Sequence, residues 1–333
     1  MSHEQYMARA LELAASVDLA RDVNPRVGAV IVSADGLVVG EGWHRGSGTD
    51  HAEVVALSLA GESARGATLY TTLEPCNATG KRPPCVDAIV AAGVACVVIA
   101  QSDPNVDMSG GAVGLRNAGV QVIHDVLASE ATELNASWTF AHTHQRPWVI
   151  WKTATTLDGF ISIEGAESPW ITSEPSREMV QTIRASVGAV VTGTGTVMAD
   201  NPMLTVRSRD EHRQPLRVVV GRRPIDPHAN VLQGEHPALL ISDDISDVLR
   251  ALWTDHGIHK VLIEAGASLS TSVWRSGLVD EVYWFQAPTI AGAGTKVLGD
   301  IGVETVEDIQ RFSQISVNRV GLDVVSHFST HKG

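Results

Sequence analysis

The stretch His51-Ala52-Glu53-Val54-Val55-Ala56-Leu57-Ser58-Leu59-Ala60 reads as a short helix with two ionisable groups at its head. Thr72-Leu73-Glu74-Pro75-Cys76 and Pro83-Pro84-Cys85 place two cysteines 25 and 34 residues after His51. One imidazole and two thiolates are three ligands of the kind zinc takes. They leave the fourth tetrahedral position to water, the arrangement of a catalytic rather than a structural site. Zinc brings the pKa of water towards ~7. Glu53 is not needed as a ligand and stands two positions after one, placed to take a proton and return it. We therefore expect zinc at His51, Cys76 and Cys85, with Glu53 as the catalytic acid–base group. The order H-x-E then P-C-x-x-C marks zinc deaminases. Here eight residues instead of two separate the cysteines. A structural zinc knuckle is the alternative, but it wants a fourth ligand and none falls nearby. Each cysteine reads as lying near a proline-initiated helix start, where free N–H groups favour thiolate. Cys96, inside Ala95-Cys96-Val97-Val98, reads as core.

Around this stretch helix and strand alternate. Residues 4–20 have a helical apolar period, 27–32 and 37–40 read as a hairpin, 68–72, 95–100 and 120–124 as strands, and 51–60 and 85–92 as helices. Residues 130–146 are polar and helical in tendency. A second series follows, with strands at 148–153, 189–192, 216–220, 238–241, 261–264 and 281–286. Its helices are expected at 174–185, 245–256 and 269–276. Two α/β domains are expected, over residues 1–146 and 147–333.

Composition narrows the function classes. The formal net charge of −13 argues against nucleic acid and anionic membranes as partners, because the long-range field repels phosphate. Any phosphate it binds must meet locally placed Arg or Lys. Three cysteines do not make a disulfide framework and fit a reducing cytoplasm. The N-terminal residues lack the features of a signal peptide. The longest apolar run, residues 88–100, is too short to span a bilayer.

Further motifs carry a resemblance. Asn24-Pro25-x-Val27-Gly28, Gly42-x-His44, His51-Ala52-Glu53-Val54, Thr72-Leu73-Glu74-Pro75-Cys76, Gly80-x-x-Pro83-Pro84-Cys85 and Asp103-Pro104-Asn105 resemble the deaminase half of the bifunctional riboflavin-biosynthesis deaminase–reductases. Lys152-x-Ala154-x-x-Leu157-Asp158-Gly159, Ser168-Pro169-Trp170-Ile171-Thr172-Ser173, Gly193-x-Gly195-Thr196-Val197, Ala199-Asp200-Asn201-Pro202-x-Leu204-Thr205-x-Arg207 and Glu264-Ala265-Gly266 resemble the reductase half, in the same order. The resemblance spans nearly the whole chain. It implies a cytidine-deaminase-like first domain and a dihydrofolate-reductase-like second. It also implies two consecutive reactions on a small pyrimidine nucleotide-like substrate: deamination of a 2,5-diamino-6-ribosylaminopyrimidinone 5′-phosphate, then reduction of its ribosyl chain to ribityl by NADPH. A homo-oligomer, dimer or tetramer, is expected.

On the same resemblance Asn24, His44, Asp103 and Asn105 are candidate contacts of the deaminase substrate; Asp103 and Asn105, flanking a proline, suit a turn equally well. Ala154, Trp170, Thr196, Asp200 and Gly266 are assigned to NADPH. Lys152, Ser168, Arg184, Leu204, Arg207 and Glu264 are assigned to the reductase substrate, with Arg184 and Arg207 nearest its phosphate because Arg forms paired bonds to phosphate. Gly193-Thr194-Gly195-Thr196 does not complete G-x-G-x-x-G, since Met198 stands at the third glycine, which argues against a standard Rossmann domain. Two loops depart from the family pattern. Asn77-Ala78-Thr79 replaces a histidine-bearing stretch after Cys76. Ser109-Gly110-Gly111-Ala112 lacks the basic residue expected between glycines, which leaves Lys81 or Arg82 to supply positive charge. A lone deaminase with an unrelated second half, and a zinc-stabilised binding protein, are the competing readings. The tandem motifs count against the first and Glu53 against the second.

Overall fold

A computed structural model describes residues 2–17, 24–79, 83–163, 170–207, 214–234 and 238–330. By its internal contacts the chain divides into Met1–His144 and Gln145–Gly333. The first unit runs α1 (His3–Ala15), β1 (Gly28–Val32), β2 (Val38–Trp43), α2 (Ala52–Ala60), β3 (Thr68–Leu73), α3 (Cys85–Ala92), β4 (Cys96–Gln101), α4 (Gly111–Asn117), β5 (Gln121–Ile123), α5 (Ala128–Leu134) and α6 (Ala136–His144). The sheet order is β2-β1-β3-β4-β5. β1 is antiparallel to both neighbours, while β3, β4 and β5 are parallel. Every residue of β1 is buried, because both faces of the sheet are covered. Ile31 and Leu69 pack with Ala52, Ala56 and Ile89 on one face. Val30 and Tyr70 pack with Met7, Ala10 and Leu13 on the other. Ser2 and Gln5 form a reciprocal capping box at the head of α1.

Glycines let the helices lie directly on the sheet. A Cβ on Gly42 would stand 2.3 Å from the Ala52 carbonyl oxygen, and one on Gly40 2.2 Å from that of Ala56. Those two bare positions bring the first turn of α2, with His51 and Glu53, down onto β2. α4 was not legible: its sequence, Gly-Ala-Val-Gly-Leu-Arg-Asn, holds two glycines, each costing ~1 kcal/mol in a helix. Packing forms it instead. A Cβ on Gly111 would lie 1.7 Å from the Pro75 carbonyl oxygen.

The second unit runs β6 (Trp148–Thr155), β7 (Phe160–Ser162), α7 (Glu174–Ala185), β8 (Ala189–Gly193), α8 (Thr194–Asp200), β9 (Leu216–Val220), β10 (Leu239–Ile241), α9 (Ile245–Thr254), β11 (Lys260–Glu264), α10 (Ala267–Arg275), β12 (Glu281–Gln286), β13 (Thr295–Lys296), β14 (Ser313–Val320) and β15 (Asp323–Ser329). Its eight-stranded sheet has the order β10-β9-β8-β11-β6-β12-β15-β14. The strands from β10 to β12 are parallel, and the C-terminal hairpin adds antiparallel strands at one edge. Trp151, Leu249 and Val273 build the core on one face. Ile150, Val180, Val197 and Phe285 build it on the other. Asp280 anchors the entry to β6, accepting from both terminal nitrogens of Arg146 at 2.6 and 2.7 Å and from the Val149 N–H at 2.8 Å.

The structure corrects several expectations. α1 ends at Ala15; residues 18–23 lie outside the described part. The polar stretch before residue 146 forms two helices. The glycine-rich turn after β8 is the helix α8, and α10 begins at Ala267, two residues before Leu269. The final hairpin has no sequence counterpart above, because β14 is exposed along most of its length and lacks the one-sided apolar pattern that marks a covered strand. Among the described residues no helix is long and apolar enough to cross a membrane. Gly42→Ala should push α2 off β2, costing ~1–3 kcal/mol and lowering the zinc content of purified protein. A thermal melt and metal analysis check this; an unchanged melt with full zinc would show that α2 does not need the close approach.

Candidate active sites

In the first unit His51 is the N-cap of α2, Cys85 opens α3 after Pro84, and Cys76 lies in the loop after β3. That corrects the expectation of a helix start at each cysteine: one helix serves both sulfurs. The Cys85 N–H donates to the Cys76 Sγ at 3.3 Å. His51 Nδ1 is 3.2 Å from the Cys85 Sγ and 3.5 Å from the Cys76 Sγ, and the three ligand atoms all lie within 4.8 Å of one another. A nitrogen at ~2.0–2.1 Å and a sulfur at ~2.3 Å on tetrahedral directions from one centre are about 3.5 Å apart. The donor set therefore fits zinc. Without metal, Cys76 is held down at about 4, first by the bond from the Cys85 thiol, while that bond and burial push Cys85 up. The Cys76 bond also raises the His51 imidazole. Glu53 is 3% exposed, and burial pushes its carboxyl up to about 7.

His44 lies edge-on to His51, with ring centroids 5.5 Å apart, so the structure brings that predicted residue to the centre. Asn24 is half-buried, four residues ahead of β1. Asp103 accepts from the Asn105 N–H at 2.8 Å and Asn105 from the Asp107 N–H at 3.1 Å, so both make the turn. Burial pushes Asp103 up to about 6. Glu74, given no role above, straps this turn to the metal loop. It accepts from the Asp103 N–H at 3.1 Å and the Ala112 N–H at 2.9 Å. A carboxylate one residue ahead of Pro-Cys was the signal for it. The departing loops meet here too: the Asn77 N–H donates to the Met108 carbonyl at 3.0 Å, and Gly111 has no room for a side chain. Lys81 and Arg82 lie outside the described residues.

In the second unit Lys152 on β6 and Glu264 at the end of β11 are register partners. Arg184 on α7 grips Glu264 with two bonds, at 2.5 and 3.0 Å, and donates to the Thr205 carbonyl at 3.2 Å. The Lys152 Nζ is 4.0 Å from Glu264. Burial works to raise Glu264, but Arg184, Lys152 and Arg207 outweigh it and hold the carboxyl below its ordinary value. Burial lowers the Lys152 ammonium. Arg184 and Glu264, both assigned above to the reductase substrate, are thus brought together, and the Arg184 fork faces Glu264, because a carboxylate buried there needs a paired cation. Arg207 is exposed. Leu204 is buried with a positive φ of 56°. Ala154 shares the face of β6 with Lys152, two residues on. Thr196 accepts from the Gly266 N–H at 3.0 Å, joining α8 to the head of α10. Burial raises Asp200, the last residue of α8. Trp170 is 61% exposed, with the Arg177 guanidinium 5.1 Å from its ring centroid. Ser168 lies outside the described residues.

These two sites define a class: a zinc-binding deaminase unit followed by a reductase unit. The model of the cytidine and deoxycytidylate deaminase zinc-binding region matches residues 1–101, and that of the RibD C-terminal domain matches residues 147–326. The riboflavin biosynthesis protein RibD of Mycobacterium tuberculosis (strain ATCC 25618 / H37Rv) is 40% identical over 331 residues, 97% of this chain and 96% of its own. Among solved structures, Acinetobacter baumannii RibD (form 1) superimposes with a TM-score of 0.90 at 35% identity, covering 99% of each chain. A diaminohydroxyphosphoribosylaminopyrimidine deaminase/5-amino-6-(5-phosphoribosylamino)uracil reductase from Thermotoga maritima does so with a TM-score of 0.82 at 34% identity, covering 98% of each. The chain belongs to the RibD family of bifunctional riboflavin-biosynthesis enzymes.

Glu53→Gln should keep the zinc and the melting temperature and lower the deamination rate by ~10²–10⁴-fold. Ammonia release at the wild-type rate would remove Glu53 from the chemistry.

Proposed function

We propose that this chain deaminates 2,5-diamino-6-ribosylamino-4(3H)-pyrimidinone 5′-phosphate and then reduces the ribosyl group of the product to ribityl with NADPH. The observation that carries the reading is the cluster of His51, Cys76 and Cys85 with buried Glu53 beside it. His51, Cys76 and Cys85 would hold zinc, which would supply an activated water for the ring carbon bearing the amine. Glu53 takes one proton from that water and delivers it to the leaving nitrogen. One C–N bond breaks, one C–O bond forms, and ammonia departs. A carboxyl near neutrality suits both directions of transfer. His44 and Asn24 read the ring edge, and Glu74 fixes the turn carrying Asp103 and Asn105 against the metal loop.

In the second unit the ribosylamine opens to an imine, whose reduction takes a hydride at carbon, which NADPH would supply, and a proton at nitrogen from solvent. Ala154, Trp170, Thr196 and Asp200 line the nicotinamide side, and Gly266 gives the pyrophosphate a backbone N-terminus at α10. Lys152, Ser168, Leu204 and Glu264 hold the sugar. Arg184 orients Glu264, and exposed Arg207 takes the phosphate. Three unlinked cysteines fit a cytoplasmic site of action, which cell fractionation checks. We further infer a homo-oligomer that docks at the β14 edge, where Ile315 and Val317 are 55% and 49% exposed. A bare edge strand with apolar side chains invites pairing.

Supplied with the diaminopyrimidinone phosphate, the protein should release ammonia without NADPH and oxidise NADPH only after that step. No ammonia, or NADPH oxidation independent of deamination, would overturn the reading. Arg207→Ala should raise the reductase KM for the phosphorylated substrate by roughly 10–150-fold, the worth of one charge-assisted contact, and leave the KM for NADPH unchanged; the reverse pattern would move Arg207 to the cofactor. Val317→Lys should lower the mass measured by light scattering to that of one chain. A wild type already monomeric, or an unchanged mass in the variant, would count against the β14 interface.

A further inference from the structure

Asn135 stands between α5 and α6 and is 5% exposed. The chemistry described above does not use it. Its side chain is aimed at a single residue far back in the chain. The Asn135 Oδ1 accepts from the Arg26 N–H at 2.8 Å, and its Nδ2 donates to the Arg26 carbonyl at 2.9 Å. An amide carries an acceptor and a donor side by side, the pair that a neighbouring strand would offer. Arg26 stands two residues ahead of β1, outside the ladder that β1 makes with β2 and β3. The Asn135 amide therefore takes the place of a strand there. The Arg26 Nη2 adds a bond to the Leu134 carbonyl at the end of α5, at 2.5 Å, where a cation suits the last carbonyls of a helix.

The residue so held lies between two parts of the deaminase site. Asn24 precedes it by two positions, across Pro25, whose ring fixes φ and leaves the turn few ways to move. Val27 follows it, and the Val27 carbonyl accepts from the His44 N–H at 2.9 Å. His44 in turn packs edge-on to His51. The Gly28 N–H donates to the Thr72 Oγ1 at 3.1 Å, on the strand that leads to Cys76. α6 makes a second tie one turn on. The Gln101 Nε2 donates to the Thr139 Oγ1 at 2.8 Å, and the Gln101 carbonyl accepts from the Glu74 N–H at 2.9 Å. We infer that Asn135 is a positioning residue of the deaminase: through its paired bonds to Arg26 it sets where Asn24 and His44 stand for the pyrimidine ring. The inference rests on reading Asn24 and His44 as the contacts of the ring edge. A segment free to sample other positions holds the binding arrangement only part of the time, and apparent affinity falls by that fraction.

The test is steady-state deamination of the diaminopyrimidinone phosphate by the full chain, for wild type, Asn135→Ala, Asn135→Asp, Asn24→Ala and the Asn24→Ala/Asn135→Ala pair. Asn135→Ala should raise KM by roughly 5–150-fold, the worth of two hydrogen bonds, and leave kcat within about threefold. Asn135→Asp keeps the acceptor and loses the donor, and should fall between. Zinc content, and NADPH oxidation with the deaminated intermediate, should match wild type. Because Asn135 acts through Asn24, the pair should fall well short of the product of the two single effects. Single effects that multiply in the pair, or an unchanged KM with a lowered melting temperature, make Asn135 a structural residue and overturn the inference while the proposed function stands. An Asn24→Ala variant with the wild-type KM overturns it as well. If Asn135→Ala loses zinc, Asn135→Asp and its pair with Asn24→Ala decide in its place. A wild type that releases no ammonia from this substrate overturns both the inference and the proposed function.

Discussion

Two thiols, an imidazole and a carboxyl are crowded together at the head of α2, the loop after β3 and the head of α3, largely out of water. Charges so placed repel and are costly to bury unless a cation or a proton neutralises them. Without metal the cysteines share a proton unevenly and Glu53 is drawn towards its neutral form. With a divalent cation the same groups are paired. The first unit is arranged around this need. Gly40 and Gly42 are bare so that α2 can lie on the sheet. The Cys85 N–H serves the Cys76 sulfur. Glu74 spends both carboxylate oxygens on backbone N–H groups, which ties the turn at 103–112 to the metal loop.

The second unit meets a related problem with protein charges alone. Glu264 is buried at a strand end and is held ionised by Arg184 in a forked pair, with Lys152 beside it. Such a cluster is rigid, since a guanidinium gripping both oxygens of a carboxylate fixes its plane. It sits where β6, β8 and β11 run parallel, so its polar groups converge at one end of the sheet. The cost of burying an ion pair argues that it is kept for the site it shapes rather than for stability.

Much was readable along the chain because spacing and residue type carry it. The central strands of both sheets are apolar runs of the right length, and His51, Glu53, Cys76 and Cys85 are distinctive as a set. α4 was illegible because its two glycines oppose a helix and only its packing on Pro75 forms one. β14 was illegible because neither of its faces is covered. Arg184 and Arg207 look alike in sequence, yet one is locked to a carboxylate and the other exposed, a difference made by Glu264, 80 residues from Arg184.

The sequence by itself determined the two α/β units, the distinctive set of His51, Glu53, Cys76 and Cys85, and the family, since each rests on local pattern and on the chemical identity of side chains. Only the tertiary structure decided which charged groups are paired with one another and which stay at the surface. Pairing depends on which residues the folded backbone brings within hydrogen-bond reach, as it brings Glu264 to Arg184 and leaves Arg207 at the surface, and spacing along the chain does not encode that proximity.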